Sequence, residues 1–259
     1  PRIFAYDDVS GAPLEVDRVK KARAEEIKYF KKMGVYKKVS KSRCYQLTGR
    51  APIGVQWVDV NKQDDENPLY RSRLVAKQFR TGSDPDLFAA TPPLEAMKII
   101  ISIAATRNVE GKVDKKIMAN DISRAYFYAR SESPTFVEIC SEDFEPGDEE
   151  KCGELQVSMY GTRQAAQNWQ HCVTELMEAN GFTPAKSSPC MFWHRARDIA
   201  CMVHGGDFFS TGRDSDLKWL QNKIEGGVRD KDYCNRSRRR RPKAGEGAQQ
   251  NSNLQSRRN

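Results

Sequence analysis

The chain has 259 residues, 38% hydrophobic and 30% charged. That is enough apolar side chain to pack a core, which excludes a disordered polymer, and no run of eighteen apolar residues exists to cross a membrane. Net charge is +8, but the ten basic and three acidic residues after Val228 account for +7 of it, so overall basicity says little about what the folded body binds. Seven cysteines lie widely scattered with no C-x-x-C pair, which points to free thiols and an intracellular setting rather than a disulfide framework. No secretory leader is visible, and with Pro1 at its head the chain reads as a piece of a longer frame.

Taken in order, Pro13 to Gly34 predicts a helix, with apolar residues at Val16, Val19, Ala22, Ile27, Phe30 and Met33 and a glycine stop. Val55 to Val60 alternates as a strand, a polar turn follows, and Tyr70 to Phe79 returns. Thr91-Pro92-Pro93 opens a second helix, with Thr91 as its N-cap. Ile117 to Asp121 is a short strand ending on a carboxylate, and further strands are expected at 136–139 and 155–159. Gln164 to Asn180 carries a helical apolar stripe through Ala165, Trp169, Val173, Leu176 and Met177, with Gly181 past its end. Two apolar runs, 191–193 and 199–203, precede His204-Gly205-Gly206-Asp207, where the Gly-Gly pair predicts a hairpin turn. Asp214 to Ile224 is one more helix candidate. After Gly226-Gly227 the chain turns basic and apolar-poor, so 227–259 reads as a disordered tail and 1–226 as the folded unit. The order of elements predicts an α+β fold with a mainly antiparallel sheet.

Three constellations carry chemistry. On the second strand of the early hairpin, Arg71, Arg73 and Lys77 fall on one face, suited to a polyphosphate or a nucleic-acid backbone; a solvated edge strand has the same pattern. Asp121 at a strand end, beside another carboxylate on a hairpin turn, is how two-ion phosphoryl-transfer sites are built; an Asp capping a helix from Ser123 explains it equally well locally. Tyr160 to Trp169 turns strand into helix and places Arg163 and Gln164 in the first turn, where backbone N–H groups favour anions; a plain solvent-facing helix start looks alike. A fourth pattern, Cys190, His194, Cys201 and His204, matches none of the common zinc spacings, and a buried thiol is the simpler reading of Cys201.

Six segments occur in a fixed order: W-V-D-V-N-K (57–62), Y-R-S-R-L-V-A-K-Q-F (70–79), D-I-S-R-A-Y-F (121–127), Y-G-T-R-Q-A-A-Q-N-W (160–169), S-S-P-C-M-F (187–192) and V-H-G-G-D-F (203–208). Together they resemble the fingers strands, polymerase motifs A and B and the metal-binding hairpin of copia-type LTR-retrotransposon reverse transcriptases, over roughly residues 5 to 226. The resemblance implies a polymerase palm, with helices on one face of its sheet, plus a fingers subdomain and no thumb. It implies RNA-directed DNA synthesis on an RNA or DNA template-primer from deoxynucleoside triphosphates, with Mg²⁺ or Mn²⁺. Asp121 and Asp207 would be its catalytic and metal-binding carboxylates. Tyr126 stands where the family keeps a steric gate, and Arg71, Arg73, Lys77 and Gln164 would meet the incoming nucleotide. Arg163 and Trp169 would touch nucleic acid.

The sequence also departs from that family. Gly206 stands where the first of two consecutive aspartates belongs, and Asp207 is expected on the opposite face of its strand, unable to substitute. Ala166 replaces a proline and Gln78 a common glycine. The tail leaves the family pattern after about residue 226, where a thumb would follow. The expectation is a truncated, catalytically crippled copy, with a non-catalytic nucleic-acid-binding remnant as the alternative.

Overall fold

The computed structural model describes residues 5–64, 66–79, 89 and 91–229. The expected tail from 230 to 259 lies outside the described residues. Helix α1 (Val16–Met33) ends on Gly34, whose left-handed φ of 63° lets its N–H reach back to the last turn. β1 (Tyr36–Ser40) and α2 (Lys41–Thr48) follow, then the hairpin β2 (Val55–Asn61) and β3 (Tyr70–Ala76), α3 (Leu94–Ala105) and β4 (Lys116–Asp121). A 3₁₀ turn (Ala125–Tyr128) leads to β5 (Phe136–Val137), β6 (Lys151–Leu155), α4 (Ala165–Ala179), β7 (Thr183–Pro184) and β8 (Met191–His194). β9 (Ile199–His204), β10 (Asp207–Gly212) and α5 (Asp214–Arg229) complete the described chain.

Every ladder is antiparallel, in three sheets ordered β2-β3, β1-β6-β5 and β4-β10-β9-β8-β7. This bears out the α+β reading but corrects the placement of the helices. Ile199, Cys201, Val203 and Phe208 pack one face of the five-stranded sheet against α4 and α5. The alternate residues Ala200, Met202 and Phe209 pack the other face against Ala96 and Ile100 of α3. Period-two alternation supplies both faces, so this sheet is sandwiched between helices.

Other boundaries move for identifiable reasons. β1 and α2 were not foreseen, because α2 buries only Cys44 and carries no apolar stripe. α3 starts at Leu94 behind Pro93, not at a Thr91 cap. The strand expected at 155–159 lies at 151–155 and pairs with β1. α5 runs on through Gly226-Gly227. A Cβ at Gly227 would stand 2.3 Å from Leu176 Cδ1, so the glycine serves close helix packing rather than a stop. No helix among the described residues is long and apolar enough to cross a membrane.

The β2-β3 hairpin is fastened to α1. Ile27 and Phe30 share a core with Leu74 and Ala76. Beside them Arg23 grips the buried Asp59 with both arms, Nη2 to Oδ2 at 2.6 Å and Nε to Oδ1 at 3.3 Å. Ser72 Oγ donates to the same carboxylate at 2.6 Å. A paired, hydrogen-bonded buried carboxylate is tolerable where a lone one is not.

Candidate active site

β4 and β10 run side by side, and their register sets Asp207 directly opposite Asp121. Opposed residues of an antiparallel pair project from the same face with Cβ atoms about 4.5–5.5 Å apart. Asp207 thus takes the strand position paired with Asp121, and both residues are exposed. Ser123 Oγ lies 3.4 Å from Asp121 Oδ2, and the 3₁₀ turn begins only at Ala125, so Asp121 is not the cap of a helix from Ser123.

The turn between β9 and β10 is the predicted Gly205-Gly206, with Gly205 at φ 57°. A Cβ at Gly206 would lie 3.3 Å from Asp121 Oδ1 and 2.6 Å from the Ile122 carbonyl oxygen. Position 206 thus aims at Asp121, and the Ile122 N–H donates to the Gly206 carbonyl at 2.9 Å. From behind, the Trp169 indole N–H donates to the Gly205 carbonyl at 2.5 Å. Trp169 is 3% exposed and sits in the α4 core. It positions the turn, and its burial leaves almost no surface for the nucleic-acid contact expected of it. Its place in the Ala165-Trp169-Val173 stripe was the signal for that.

The expected nucleotide-binding residues separate into two groups. Arg71 and Arg73 occupy the half-exposed face of β3, while Ser72, Leu74 and Ala76 are buried on the other. The Arg73 guanidinium lies 4.9 Å over the Tyr160 ring, and Tyr160 in turn is 4.7 Å from the half-buried Tyr126 ring. Burial, then the charges of Arg73 and Arg124, push the Arg71 pKa down, with Tyr160 and Asp121 as smaller opposing influences. Arg71, Arg73, Arg124 and Asp121 therefore share one electrostatic neighbourhood. Arg124 was not foreseen from sequence. Burial raises both Tyr126 and Tyr160 above the ordinary phenol pKa, so both rings stay neutral.

Lys77 lies beyond the end of β3 and lines a different cavity of about 600 Å³, with Arg50, Arg163, Gln164, Ser133 and Thr162. The Arg163 N–H donates to Gln78 Oε1 at 2.9 Å, and Gln164 accepts from Ser133 Oγ at 2.7 Å. The two groups join at Gly161. Its φ of 81° and a Cβ position only 2.0 Å from the Ala76 carbonyl oxygen admit no side chain, and the Tyr160 carbonyl accepts from Ala76 N–H at 2.8 Å.

No cluster of three His, Cys, Asp or Glu side chains able to hold a metal exists among the described residues, so the Cys190/His194/Cys201/His204 pattern forms no such site. Cys44, Cys140, Cys152, Cys190 and Cys201 are buried free thiols, and burial pushes Cys201 up to about 12. Two opposed carboxylates fit one hard divalent ion, which ordinarily takes one or two carboxylates and fills its remaining positions with water and phosphate oxygens.

A family model described as reverse transcriptase (RNA-dependent DNA polymerase) matches residues 36–229. Over 223 residues the chain is 27% identical to a retrovirus-related Pol polyprotein from transposon TNT 1-94 of Nicotiana tabacum. The match covers 83% of this chain and 16% of that polyprotein.

Proposed function

Since the chain belongs to the reverse transcriptase (RNA-dependent DNA polymerase) family, we propose that it is the fingers and palm of a copia-type retrotransposon reverse transcriptase whose nucleotidyl-transfer centre lacks one carboxylate. The observation that carries this is Gly206, an empty position 3.3 Å from Asp121 Oδ1 at the mouth of the β9-β10 turn. Asp121 and Asp207 would hold one Mg²⁺ or Mn²⁺, which when bound neutralises charge on a triphosphate. With glycine at 206, one of the carboxylates that would hold a second ion beside Asp121 is absent. Tyr126 would wall the sugar side of the nucleotide, and Arg71 and Arg73 would face its phosphates. Loss of a group that stabilises transition-state charge costs about 10²–10³ in rate, and a bridging ligand lies at the severe end.

Primer extension on poly(rA)/oligo(dT) with Mg²⁺ or Mn²⁺ tests the reading, comparing the native chain with Gly206→Asp. The revertant must part the strand ends by a few tenths of an ångström, because a Cβ there meets the Ile122 carbonyl, so its folding is checked by circular dichroism. Extension by the revertant alone supports the proposal. Extension by the native chain sinks the claim of a crippled centre. Silence from a folded revertant sinks the claim that Gly206 is what disables it.

A second reading, a non-catalytic binder of nucleic acid, is favoured by the cavity that Arg50, Lys77 and Arg163 line. Phosphate-backbone binding of this kind falls steeply with salt. A salt titration on single-stranded RNA with a shallow slope, or no binding, would reject it.

A further inference from the structure

A cavity of about 130 Å³ lies behind the β9-β10 turn, on the side of the sheet that packs against α4. Its walls are mostly apolar: Trp169 and Val173 of α4, Phe192 of β8 and Val203 of β9 are all buried, and the half-buried Tyr126 ring joins them. Gly205 lines it too, so the main chain of the turn is part of the wall. The indole that donates to the Gly205 carbonyl at 2.5 Å is another part. Neither Asp121 nor Asp207 lines this cavity.

Ala166 also lines it, in the first turn of α4. This is the position at which the copia-type pattern carries proline, a side chain two carbons larger. Alanine leaves that room to the cavity. A proline in the first turn would cost the helix no hydrogen bond, so the exchange of residues changes the space beside α4 rather than the helix itself.

Size and lining select the occupant. An apolar cavity of about 150 Å³ takes benzene, and this one is of that order. Tyr126, Trp169 and Phe192 present rings, which favour another ring set offset or edge-on. The buried Cys190 sulfur adds a soft partner for a ring edge. The polar lining includes Gln170 and His204 but no Asp, Glu, Lys or Arg among the described residues, so a charged ligand would lose its hydration without a counter-ion.

We propose that this cavity binds a small neutral aromatic ring, and that the bound ring braces the turn leading into Asp207. The ring lies against both the indole and the Gly205 main chain, so it favours the form of the turn in which those two are joined. The proposal goes beyond the polymerase reading and needs nothing from it, since no test of it reads catalysis.

The experiment titrates the full chain with benzene, followed by ligand-observed NMR and by hydrogen exchange of the Gly205 and Gly206 amides. Benzene should bind at one saturable site with a Kd on the order of 1 mM or tighter. At ten times Kd the turn amides should exchange about tenfold more slowly. Ala166→Pro and Ala166→Leu fill the cavity and should each weaken binding about tenfold or more, with folding checked by circular dichroism. Benzoate, the same ring with a charge, should not bind. If Ala166→Pro fails to fold, Ala166→Leu decides. If both fail, exchange in the native chain decides, because protection away from Gly205 and Gly206 would put the ring elsewhere. Binding that does not saturate, equal affinity in a folded Ala166→Leu, or unchanged exchange at the turn would overturn the proposal. Benzoate or cyclohexane binding as tightly as benzene would overturn the choice of a neutral aromatic ring.

Discussion

The two flanks of the site rest on different kinds of support. The cationic flank, β3 with Arg71 and Arg73, adds buried polar contacts to its apolar core: the Arg23-Asp59 pair, Ser72 on the same carboxylate, and the close approach at Gly161. The acidic flank, β4 and the β9-β10 turn, rests on an apolar core and one indole hydrogen bond. Buried polar networks fail when any member is lost, whereas an apolar core with a surface turn tolerates change in the turn's side chains. Position 206 lies on the flank whose turn tolerates a change of side chain.

Breaking the cationic flank should have the largest effect. Arg23→Ala leaves Asp59, 4% exposed, without its charge partner, and urea unfolding should show a loss of about 3–5 kcal/mol. A loss under 1 kcal/mol would mean that the hairpin does not depend on the pair. On the acidic flank Trp169→Phe keeps the ring but removes the donor to Gly205, with an expected cost of about 1–3 kcal/mol for the stranded carbonyl. Should it cost nothing, the indole contact is not what fixes the turn. Asp207→Asn should do the reverse and stabilise the chain by about 0.2–1 kcal/mol, because like charges directly opposite repel. Added Mg²⁺ should cancel that difference, and a destabilised Asp207→Asn would contradict the same-face register.

Acid sharpens the comparison last. Backbone N–H groups of Ser10, Asn61 and Val9 hold Asp7, beside β2, at about 2, and Lys218 and Lys116 hold Asp214, at the head of α5, at about 2. Both values lie below the ordinary aspartate range, so each carboxylate adds stability that is complete above about pH 4. That stability drains as pH falls toward 2. Asp7→Asn should flatten the pH dependence between those values for a probe near the hairpin; an unchanged slope would mean that Asp7 keeps an ordinary pKa.

Much of this was legible in the residues. Alternation marked β2 and β3, and Gly205-Gly206 between apolar runs marked the turn, because short-range pattern decides both. Position 206 stood out by motif, and the fold puts it against Asp121. What the sequence hid depends on distant pairing. Glu26 and Arg124 are 98 residues apart, and no local pattern links them. The face on which Asp207 lies is set by register with β4, not by its own strand. Gly226-Gly227 looked like a breaker because its use, a close pass over Leu176, belongs to another helix. Trp169 was misassigned where the information was present: its helical spacing marked it as core, and the motif reading overrode that.

The indole contact behind the turn has one more consequence. Cells judge a protein by how often it opens, not by what it can catalyse. Trp169 grips a main-chain carbonyl, an atom every residue at 205 would supply, so this contact does not depend on which side chain stands at 206. The turn's main chain is thus held by a group that reads no side chain at all, and local opening of this hairpin is governed by the indole rather than by the turn's own residues.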